Sequence, residues 1–387
     1  MRKSNINFIF IHSTNIKKIN STSKCIYIQF ANINPNTTFI ELLTPLRQYI
    51  DSLLDIRFSY FHIYTEKLYG GNLIKTPFYL PINKFNEILS YNINKKLASI
   101  YFRKINKIIS ESKDQELAYI FFNPLNYSMV SSFFENKKNI FYIILDDWED
   151  LYKHSKLRYY LSIQERNLIK KSSGVIAVSN LLKEKFKSLN DNIIVVPNGV
   201  DLNFIKNIKD KYSYLKRGKI ICGFIGTIMD WIDVDIFFDI AKNYPDCDLV
   251  IAGKDGIGFK KLICEKKYEN IRYLGEIPYE DIPSLINVMD ICINPMKNCL
   301  TAINSSPLKI YEYLALKKPV ISSYVQIIEE ELKDYVYLAK TREEFIRIIN
   351  NVVKNKDRRI NFSIEKICWE NRAKKIYNFI MSRIYRD

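Results

Sequence analysis

The stretch SSPLKIYEYLALKKPV, from Ser305 to Val320, places a lysine and a glutamate three residues apart in the opening turns of a short helix. Ser306 is expected to cap this helix and Pro307 to be its first residue, where the missing N–H of proline matters least. The preceding ICINP predicts a strand, so the helix should begin at the carboxyl edge of a parallel sheet and direct unpaired N–H groups at a phosphate. Lys309 adds a point charge there, and Glu312 at i+3 could accept two ribose hydroxyls.

The ends of two further strands favour a nucleotide site over a plain surface ion pair. Alone, Lys309 and Glu312 would be read as an exposed i,i+3 pair, worth about 0.2–0.5 kcal/mol. Gly226 and Thr227, however, end the predicted strand KIICGFIG, and Gly253 ends the predicted strand CDLVIAG. Glycines at these places are typical of the phosphate-facing turns of an α/β sheet.

Strands and helices alternate through the second half of the chain. After KIICGFIG and CDLVIAG, the strands NIRYLGEI, DICINPM and PVISS are predicted, with helices between them. Eight of the 11 glycines fall between Gly199 and Gly275, where tight βα turns need them. This spacing predicts an α/β fold with a doubly wound parallel sheet.

The first half repeats the alternation less regularly. Two amphipathic helices are predicted, at Leu97–Ile109 and Lys156–Lys171, and a polar connector at Asp201–Gly218. The last stretch, Glu370–Tyr385, has the pattern of a helix. A chain of 387 residues is long for one core, so two domains are expected. The candidate strands are NFIFIH, CIYIQF, FSYFHIY, AYIFFN, NIFYIIL, GVIAVS and NIIVVP.

Composition excludes several classes of protein. The chain is 47% hydrophobic and 26% charged, which is typical of a globular protein. The three histidines and seven cysteines contain no CxxC pair and no zinc spacing, so no structural metal is expected. No window reaches the ~18 apolar residues of a membrane-spanning helix. The apolar run in MRKSNINFIFIHSTN is too short for a signal peptide, so residence in the cytoplasm is expected.

The net charge of +16 is unevenly distributed. Residues 1–200 carry 27 Lys and Arg against 16 Asp and Glu. This excess suits a polyanion, an anionic membrane surface or a phosphorylated substrate, although a lysine-rich drift in composition explains it equally well. No nucleic-acid-binding signature accompanies the charge, so no nucleic-acid partner is expected.

From about residue 141 to residue 372, the chain resembles the GT-B glycosyltransferases of family 4, especially the type that makes bacterial surface polysaccharides and teichuronic acid. The similarity rests on the order and spacing of several weak motifs. These are VSNLLKEKF, VVPNGVD, FIGTIMDWIDVDIF, YLGEIPYEDIP, PLKIYEYLA with PV after it, and CWENRAKKIY.

The resemblance implies two Rossmann-like domains facing across a cleft. Residues 1–202 would bind the acceptor, residues 203–365 the nucleotide sugar, and residues 366–387 would form a helix that returns to the first domain. The acceptor would be a glycan or a lipid-linked molecule. Glu312 matches the ribose-binding glutamate of the family's E-x7-E motif. Lys309 matches the diphosphate site, and Gly226 and Thr227 the loop beneath it. Transfer would retain anomeric configuration and need no metal or other cofactor.

The implied site therefore has two parts. Asp146, Asp147 and Lys309 are the candidate catalytic residues. The donor-binding residues would be Gly226, Thr227, Trp231, Thr301, Leu308, Lys309 and Glu312.

Two departures from the family pattern leave alternatives open. Asn304 stands where the first motif glutamate belongs, and the loop TIMDWID lacks the basic residue that many relatives place against the diphosphate. A catalytically silent GT-B scaffold that partners an active transferase is therefore the alternative function. A GT-B sugar-nucleotide epimerase is a third possibility, but the second half of the chain contains no histidine for its acid–base chemistry.

Three acidic or aromatic features have competing interpretations. Asp146 and Asp147 follow the strand IFYIIL and could orient an acceptor hydroxyl, or they could be a solvated acidic cap of a helix. Asp233 and Asp235 form a D-x-D pattern, but they open a predicted helix and are better read as capping residues than as metal ligands. Trp231 could line the donor cleft or belong to the core.

Peripheral attachment to a membrane is also expected. In NKKLASIYFRKINKIIS, an apolar face is bordered by five basic residues, which is typical of a helix lying on an anionic membrane. A helix packed on the sheet with a solvated basic edge is the alternative. The predicted apolar face comprises Leu97, Ile100, Tyr101, Ile105 and Ile108, and the basic residues are Lys95, Lys96, Arg103, Lys104 and Lys107.

Overall fold

The computed structural model divides the chain into two compact units. Unit 1 comprises residues 1–197 with 372–387, and unit 2 comprises residues 198–371. Within them the structure describes residues 6–12, 22–42, 44–45, 63–76, 78–79, 87–110, 115–299, 306–323, 330–354 and 363–385.

Unit 1 alternates strands and helices. Its strands are β1 (Ile6–His12), β2 (Thr38–Glu41), β3 (Thr44–Pro45), β4 (Tyr64–Leu68), β5 (Gly71–Lys75), β6 (Phe78–Tyr79), β7 (Glu116–Phe121), β8 (Ile140–Ile144), β9 (Gly174–Ala177) and β10 (Ile193–Val195). Its helices are α1 (Thr22–Ile33), α2 (Glu87–Ser110), α3 (Pro124–Val130), α4 (Trp148–Leu151), α5 (Arg158–Lys171) and α6 (Asn180–Phe186).

Eight of these strands form one sheet in the order β10-β9-β8-β7-β1-β2-β5-β4. All neighbours are parallel except β4 and β5, which form an antiparallel hairpin at one edge. Strands such as β1 and β8 are almost entirely buried and apolar, as expected where helices cover both faces of a parallel sheet.

One strand prediction in unit 1 is wrong. The stretch CIYIQF is not a strand but lies within helix α1. Its residues Ile26, Tyr27 and Phe30 are buried, and Phe30 packs edge-on against Phe8 and Phe10 of β1. The spacing of apolar residues in so short a run fits a strand as well as a helix. Only the packing against β1 shows that these residues share one face of a helix. Most of the predicted strand FSYFHIY lies outside the described residues.

Unit 2 contains the strands β11 (Ile220–Ile225), β12 (Cys247–Ala252), β13 (Ile271–Tyr273), β14 (Ile291–Asn294), β15 (Val320–Ser323) and β16 (Val336–Ala339). Its helices are α7 (Val234–Asn243), α8 (Phe259–Lys266), α9 (Ile282–Val288), α10 (Leu308–Ala315) and α11 (Arg342–Lys354).

The six strands of unit 2 form one wholly parallel sheet in the order β13-β12-β11-β14-β15-β16. Counted from β11, this order is 3-2-1-4-5-6, that of a doubly wound dinucleotide-binding sheet. Buried apolar clusters cover both faces, one including α9 and α10 and the other including α7 and α11. The predicted fold class, α/β with doubly wound sheets, is confirmed.

The polar stretch Asp201–Gly218 is more than the connector that its sequence predicts. It contains two 3-10 turns, at Phe204–Asn207 and Ser213–Leu215. Phe204 and Leu215 are buried in the core of unit 2 beside α9 and α10. These apolar residues occur singly among lysines, so the sequence pattern did not reveal that the segment packs against the unit.

The final helix is α12 (Trp369–Ile384), whose first three residues belong to unit 2 and the others to unit 1. Tyr377 packs against Phe8 and Phe30, with ring centres 5.3 and 5.5 Å apart. Among the described residues, no helix combines the length and the apolar character needed to span a membrane.

Candidate active site

The strand order of unit 2 brings two chain segments together at the carboxyl edge of its sheet. β11 and β14 are neighbours, and the winding reverses between them, which is where open α/β sheets bind their ligands. Gly226 directly follows β11, whereas α10 lies in the crossover from β14 to β15. The hydroxyl of Tyr313 on α10 accepts a hydrogen bond from the N–H of Ile225 at 2.9 Å. This bond fixes the helix against the end of β11.

Lys309 reaches from the first turn of α10 across the end of β11. Its Nζ lies 4.5 Å from the ring centre of Phe224 and 3.0 Å from the position that a Cβ on Gly226 would occupy. Burial lowers the pKa of Lys309 to about 8, although the charge of Glu312 raises it. The ammonium group is therefore poorly solvated, and an anionic ligand beside it would restore the stabilisation that water no longer provides.

Two glycines make room for this arrangement. Gly226 has a φ of 152°, and Gly253, at the end of β12, has a φ of 139°, both in a region that side chains disfavour. A Cβ on Gly253 would lie 2.0 Å from the carbonyl oxygen of Gly226. The turn after β12 therefore supports the loop that lies under Lys309. A side chain at Gly253 would displace the backbone of Gly226, whereas one at Gly226 would crowd the end of the Lys309 side chain.

Glu312 lies one turn beyond Lys309 on α10. Its Oε1 accepts a hydrogen bond from the hydroxyl of Tyr279 at 3.2 Å. Burial raises the pKa of Glu312 to about 7, while the Tyr279 hydroxyl and the charge of Lys309 lower it. Glu312 can therefore change between its neutral and ionised forms near neutral pH.

The helix starts one residue later than the sequence predicts, so the predicted N-cap and the predicted first helical residue are both wrong. α10 begins at Leu308, Pro307 occupies the N-cap position, and no side chain caps the helix. The Ser306 hydroxyl instead accepts the N–H of Asn198 at 3.2 Å and lies 3.0 Å from the Tyr311 hydroxyl. Because these partners occupy the hydroxyl, Ser306 ties α10 to the first residues of unit 2 rather than capping the helix.

The other predicted donor-site residues differ in their surroundings. Thr227 and Leu308 are exposed beside Gly226 and Lys309 in the chain. Trp231 is half-buried and packs against the apolar cluster on the α7 side of the sheet, as its core interpretation expects. Thr301 and Asn304 lie outside the described residues. The structure thus brings together Gly226, Lys309 and Glu312.

Asp233 and Asp235 are held by an arginine that the sequence analysis did not single out. Arg342, at the start of α11, donates to both carboxylate oxygens of Asp233 at 2.9 Å and lies 3.0 Å from Asp235. Asp233 occupies the N-cap position of α7, but its side chain makes no capping hydrogen bond. Within the described part of the chain, no group of three or more His, Cys, Asp or Glu residues is placed to hold a metal ion.

Asp146 and Asp147 lie in unit 1, directly after β8. Asp147 is buried, caps α4 by accepting the N–H of Asp150 at 3.4 Å, and pairs with Lys185 at 2.7 Å. Its carboxylate is thus a helix cap, as one of the two interpretations holds, although it is buried rather than solvated. Asp146 is half-buried, and burial together with the charge of Asp147 raises its pKa. Of the two, Asp146 is the better placed to act as an acid or base.

Comparison with protein families identifies the part of the chain that carries this centre. Residues 205–367 match the family model described as "Glycosyl transferases group 1". Those residues are therefore similar to the group 1 glycosyltransferases. The matched segment includes Gly226, Lys309 and Glu312, whereas Asp146 and Asp147 precede it.

Known proteins resemble the chain in sequence and in fold. A protein of Bacillus subtilis (strain 168) that carries the name teichuronic acid biosynthesis glycosyltransferase TuaH is 27% identical over 191 residues, which are 46% of this chain and 47% of the relative. The match thus spans about half the length of that protein.

Sucrose-phosphate synthase from Thermosynechococcus elongatus has a TM-score of 0.73 at 12% identity, covering 99% of this chain and 100% of that one. Anabaena HepE, solved with UDP-glucose, has a TM-score of 0.67 at 15% identity, covering 98% and 100%. These structural neighbours are GT-B glycosyltransferases, so the predicted GT-B fold is confirmed.

The partners of the site residues were not predicted from the sequence. Tyr279, Arg342 and Lys185 each hold a carboxylate that the sequence had singled out. Tyr279 belongs to the quoted motif YLGEIPYEDIP, so its neighbourhood was recognised, but a contact 33 residues away in sequence leaves no periodic signal.

Proposed function

We propose that this protein transfers a hexosyl group from a nucleotide sugar, with UDP or GDP as the carrier, to a glycan or lipid-linked acceptor in the synthesis of a bacterial surface polysaccharide. One observation carries the proposal. Lys309 lies against the glycine loop after β11, with Glu312 one turn beyond it, at the switch point of a 3-2-1-4-5-6 sheet. The relatives named for teichuronic acid synthesis and solved with UDP-glucose support the same substrate class.

In the proposed reaction the bond between the anomeric carbon and the diphosphate breaks, and the acceptor oxygen forms a bond to that carbon with retained configuration. Negative charge develops on the departing diphosphate. A fixed cation in a poorly hydrated site stabilises this charge without having to reorganise, and that is the role of Lys309. Glu312 binds the ribose hydroxyls, and Asp146 orients or deprotonates the acceptor. The reaction needs no metal, because Lys309 supplies the positive charge.

The protein would act at the surface of an anionic membrane. Three residues of the predicted apolar face of α2 are not available to contact a membrane. Tyr101 and Ile105 are buried in the core of unit 1, and Leu97 packs against that core. The apolar side chains that remain exposed on α2 are Ile88, Leu89, Ile100 and Ile108, and the exposed basic ones are Lys96, Arg103, Lys104 and Lys107. We propose that this smaller face contacts the lipid.

Thermal unfolding in the presence of UDP, GDP, ADP and CMP tests the donor site. A ligand at ~100 times its dissociation constant adds about 2.7 kcal/mol to the free energy of unfolding. We expect one or two of these nucleotides to raise the melting temperature, and the sugar conjugates of the effective nucleotide to be consumed in the presence of a lipid-linked acceptor. No response to any nucleotide would favour the catalytically silent scaffold.

A further inference from the structure

Tyr279 stands outside the residues that either the sequence or the proposed mechanism assigns to the donor site. It lies on the 3-10 turn Tyr279–Asp281, and its ring packs against that of Phe204, with centres 5.5 Å apart. Phe204 is buried, so it fixes the position of the tyrosine ring. The hydroxyl donates to Oε1 of Glu312.

We propose that Tyr279 is a positioning residue for the nucleoside end of the donor: its hydroxyl holds the Glu312 carboxylate in place as an acceptor for a ribose hydroxyl. The inference rests on the proposed function, and it adds a residue and a role to the same site.

The geometry gives Tyr279 two effects on Glu312. One carboxylate oxygen bonds to the tyrosine, which restricts rotation of the group and leaves the other oxygen for a ligand. A hydrogen bond donated to a carboxylate also favours its ionised form, and an ionised carboxylate accepts a hydroxyl more strongly than a neutral carboxyl does.

Few other groups act on this carboxylate. Lys309, from the same helix, is the charged group that favours ionisation, and burial opposes it. The neighbouring Tyr313 points its hydroxyl to the N–H of Ile225 instead. Removing the Tyr279 hydroxyl would therefore raise the pKa of Glu312 further above its present value of about 7.

The test compares Tyr279→Phe with the wild type in binding UDP, GDP and ADP, measured by calorimetry from pH 6 to pH 9. All three nucleotides carry the same ribose and diphosphate. At pH 6 Glu312 is mostly protonated in both proteins, so the affinities should agree within about twofold. At pH 7.5 the variant should bind about 3- to 10-fold more weakly, and by pH 9 the difference should shrink again. Tyr214→Phe, which removes an exposed hydroxyl from the same unit, should match the wild type throughout.

A double-mutant cycle separates positioning from general damage. In a Glu312→Ala background the Tyr279→Phe change should have no further effect, because no side chain remains for the hydroxyl to hold. Equal binding by Tyr279→Phe and the wild type at pH 7.5, or an effect that persists in the Glu312→Ala background, would overturn the inference while leaving the donor site intact. Nucleotide binding by neither protein would instead overturn the proposed function.

Discussion

The ammonium group of Lys309 lies 3.0 Å from the place where a Cβ on Gly226 would be. This proximity joins the first turn of α10 to the end of β11, two elements that are far apart in the sequence. A cation with a pKa of about 8 thereby faces the loop in which a nucleotide diphosphate is expected.

The charge of Lys309 should set the alkaline limit of donor binding. Since its pKa is lowered to about 8, Lys309 loses its proton as the pH rises through 8, and affinity for UDP or GDP should fall over the same range. Lys309→Arg keeps a positive charge at these pH values, so its binding should not decline between pH 7 and pH 9. Calorimetric titration of both proteins checks this. An equal alkaline decline in the arginine variant would show that Lys309 is not the titrating group.

Gly253→Ala should destabilise unit 2 more than backbone strain alone does. The new Cβ would lie 2.0 Å from the carbonyl oxygen of Gly226, in addition to a strain of about 1–3 kcal/mol from the positive φ. Gly218→Ala is the matched control, because Gly218 also has a positive φ but no atom within 4 Å of its Cβ position. Denaturant unfolding should show a clearly larger loss for Gly253→Ala. Equal losses would mean that the contact with Gly226 is unimportant.

Transfer activity should persist in excess EDTA. The proposed site uses the charge of Lys309 where a metal-dependent enzyme uses a cation, and Asp233 and Asp235 already pair with Arg342. Sugar transfer assayed with and without EDTA measures this. Complete loss of activity that manganese restores would contradict the account and identify Asp233 and Asp235 as candidate metal ligands.

Binding to vesicles should require both anionic lipid and the exposed apolar residues of α2. Replacing Ile88 and Leu89, which are 53% and 59% exposed, by serine should weaken co-sedimentation without disturbing the core. Tyr159→Ser, at an 80% exposed position on α5, is the control and should bind like the wild type. Added salt should weaken binding. Equal binding to neutral vesicles, or no binding to either kind, would remove the membrane proposal.

The sequence predicted the architecture of unit 2 because each of its strands is a short apolar run that ends in a turn residue. It also predicted that Gly226, Lys309 and Glu312 share one place, since the carboxyl ends of parallel strands lie at one edge. The prediction failed where the same local pattern fits both a strand and a helix. CIYIQF has the composition of a strand, yet its apolar residues form one face of α1.

The partners of the site residues could not be predicted. Tyr279, Arg342 and Lys185 lie 33, 109 and 38 residues from the carboxylates they contact. Such contacts depend on how the elements pack. The start of α10 was misjudged for the same reason, because the hydroxyl of Ser306 is taken by the backbone of Asn198.

The most direct test of the central claim is the steady-state kinetics of two variants, Lys309→Ala and Glu312→Gln. Lys309→Ala should lower kcat by roughly 10² to 10³, because the ammonium interacts more strongly with the departing diphosphate than with the bound donor. Glu312→Gln should mainly raise the donor KM, by about 1–3 kcal/mol of lost hydrogen bonding, and largely keep kcat, because the ribose hydroxyls change little during transfer. Lys261→Ala and Glu265→Gln, which remove an exposed i,i+4 pair on α8, are the controls and should behave like the wild type. If the two α10 variants also match the wild type in donor binding and turnover, Lys309 and Glu312 are only surface residues of a helix, and the site is wrongly assigned.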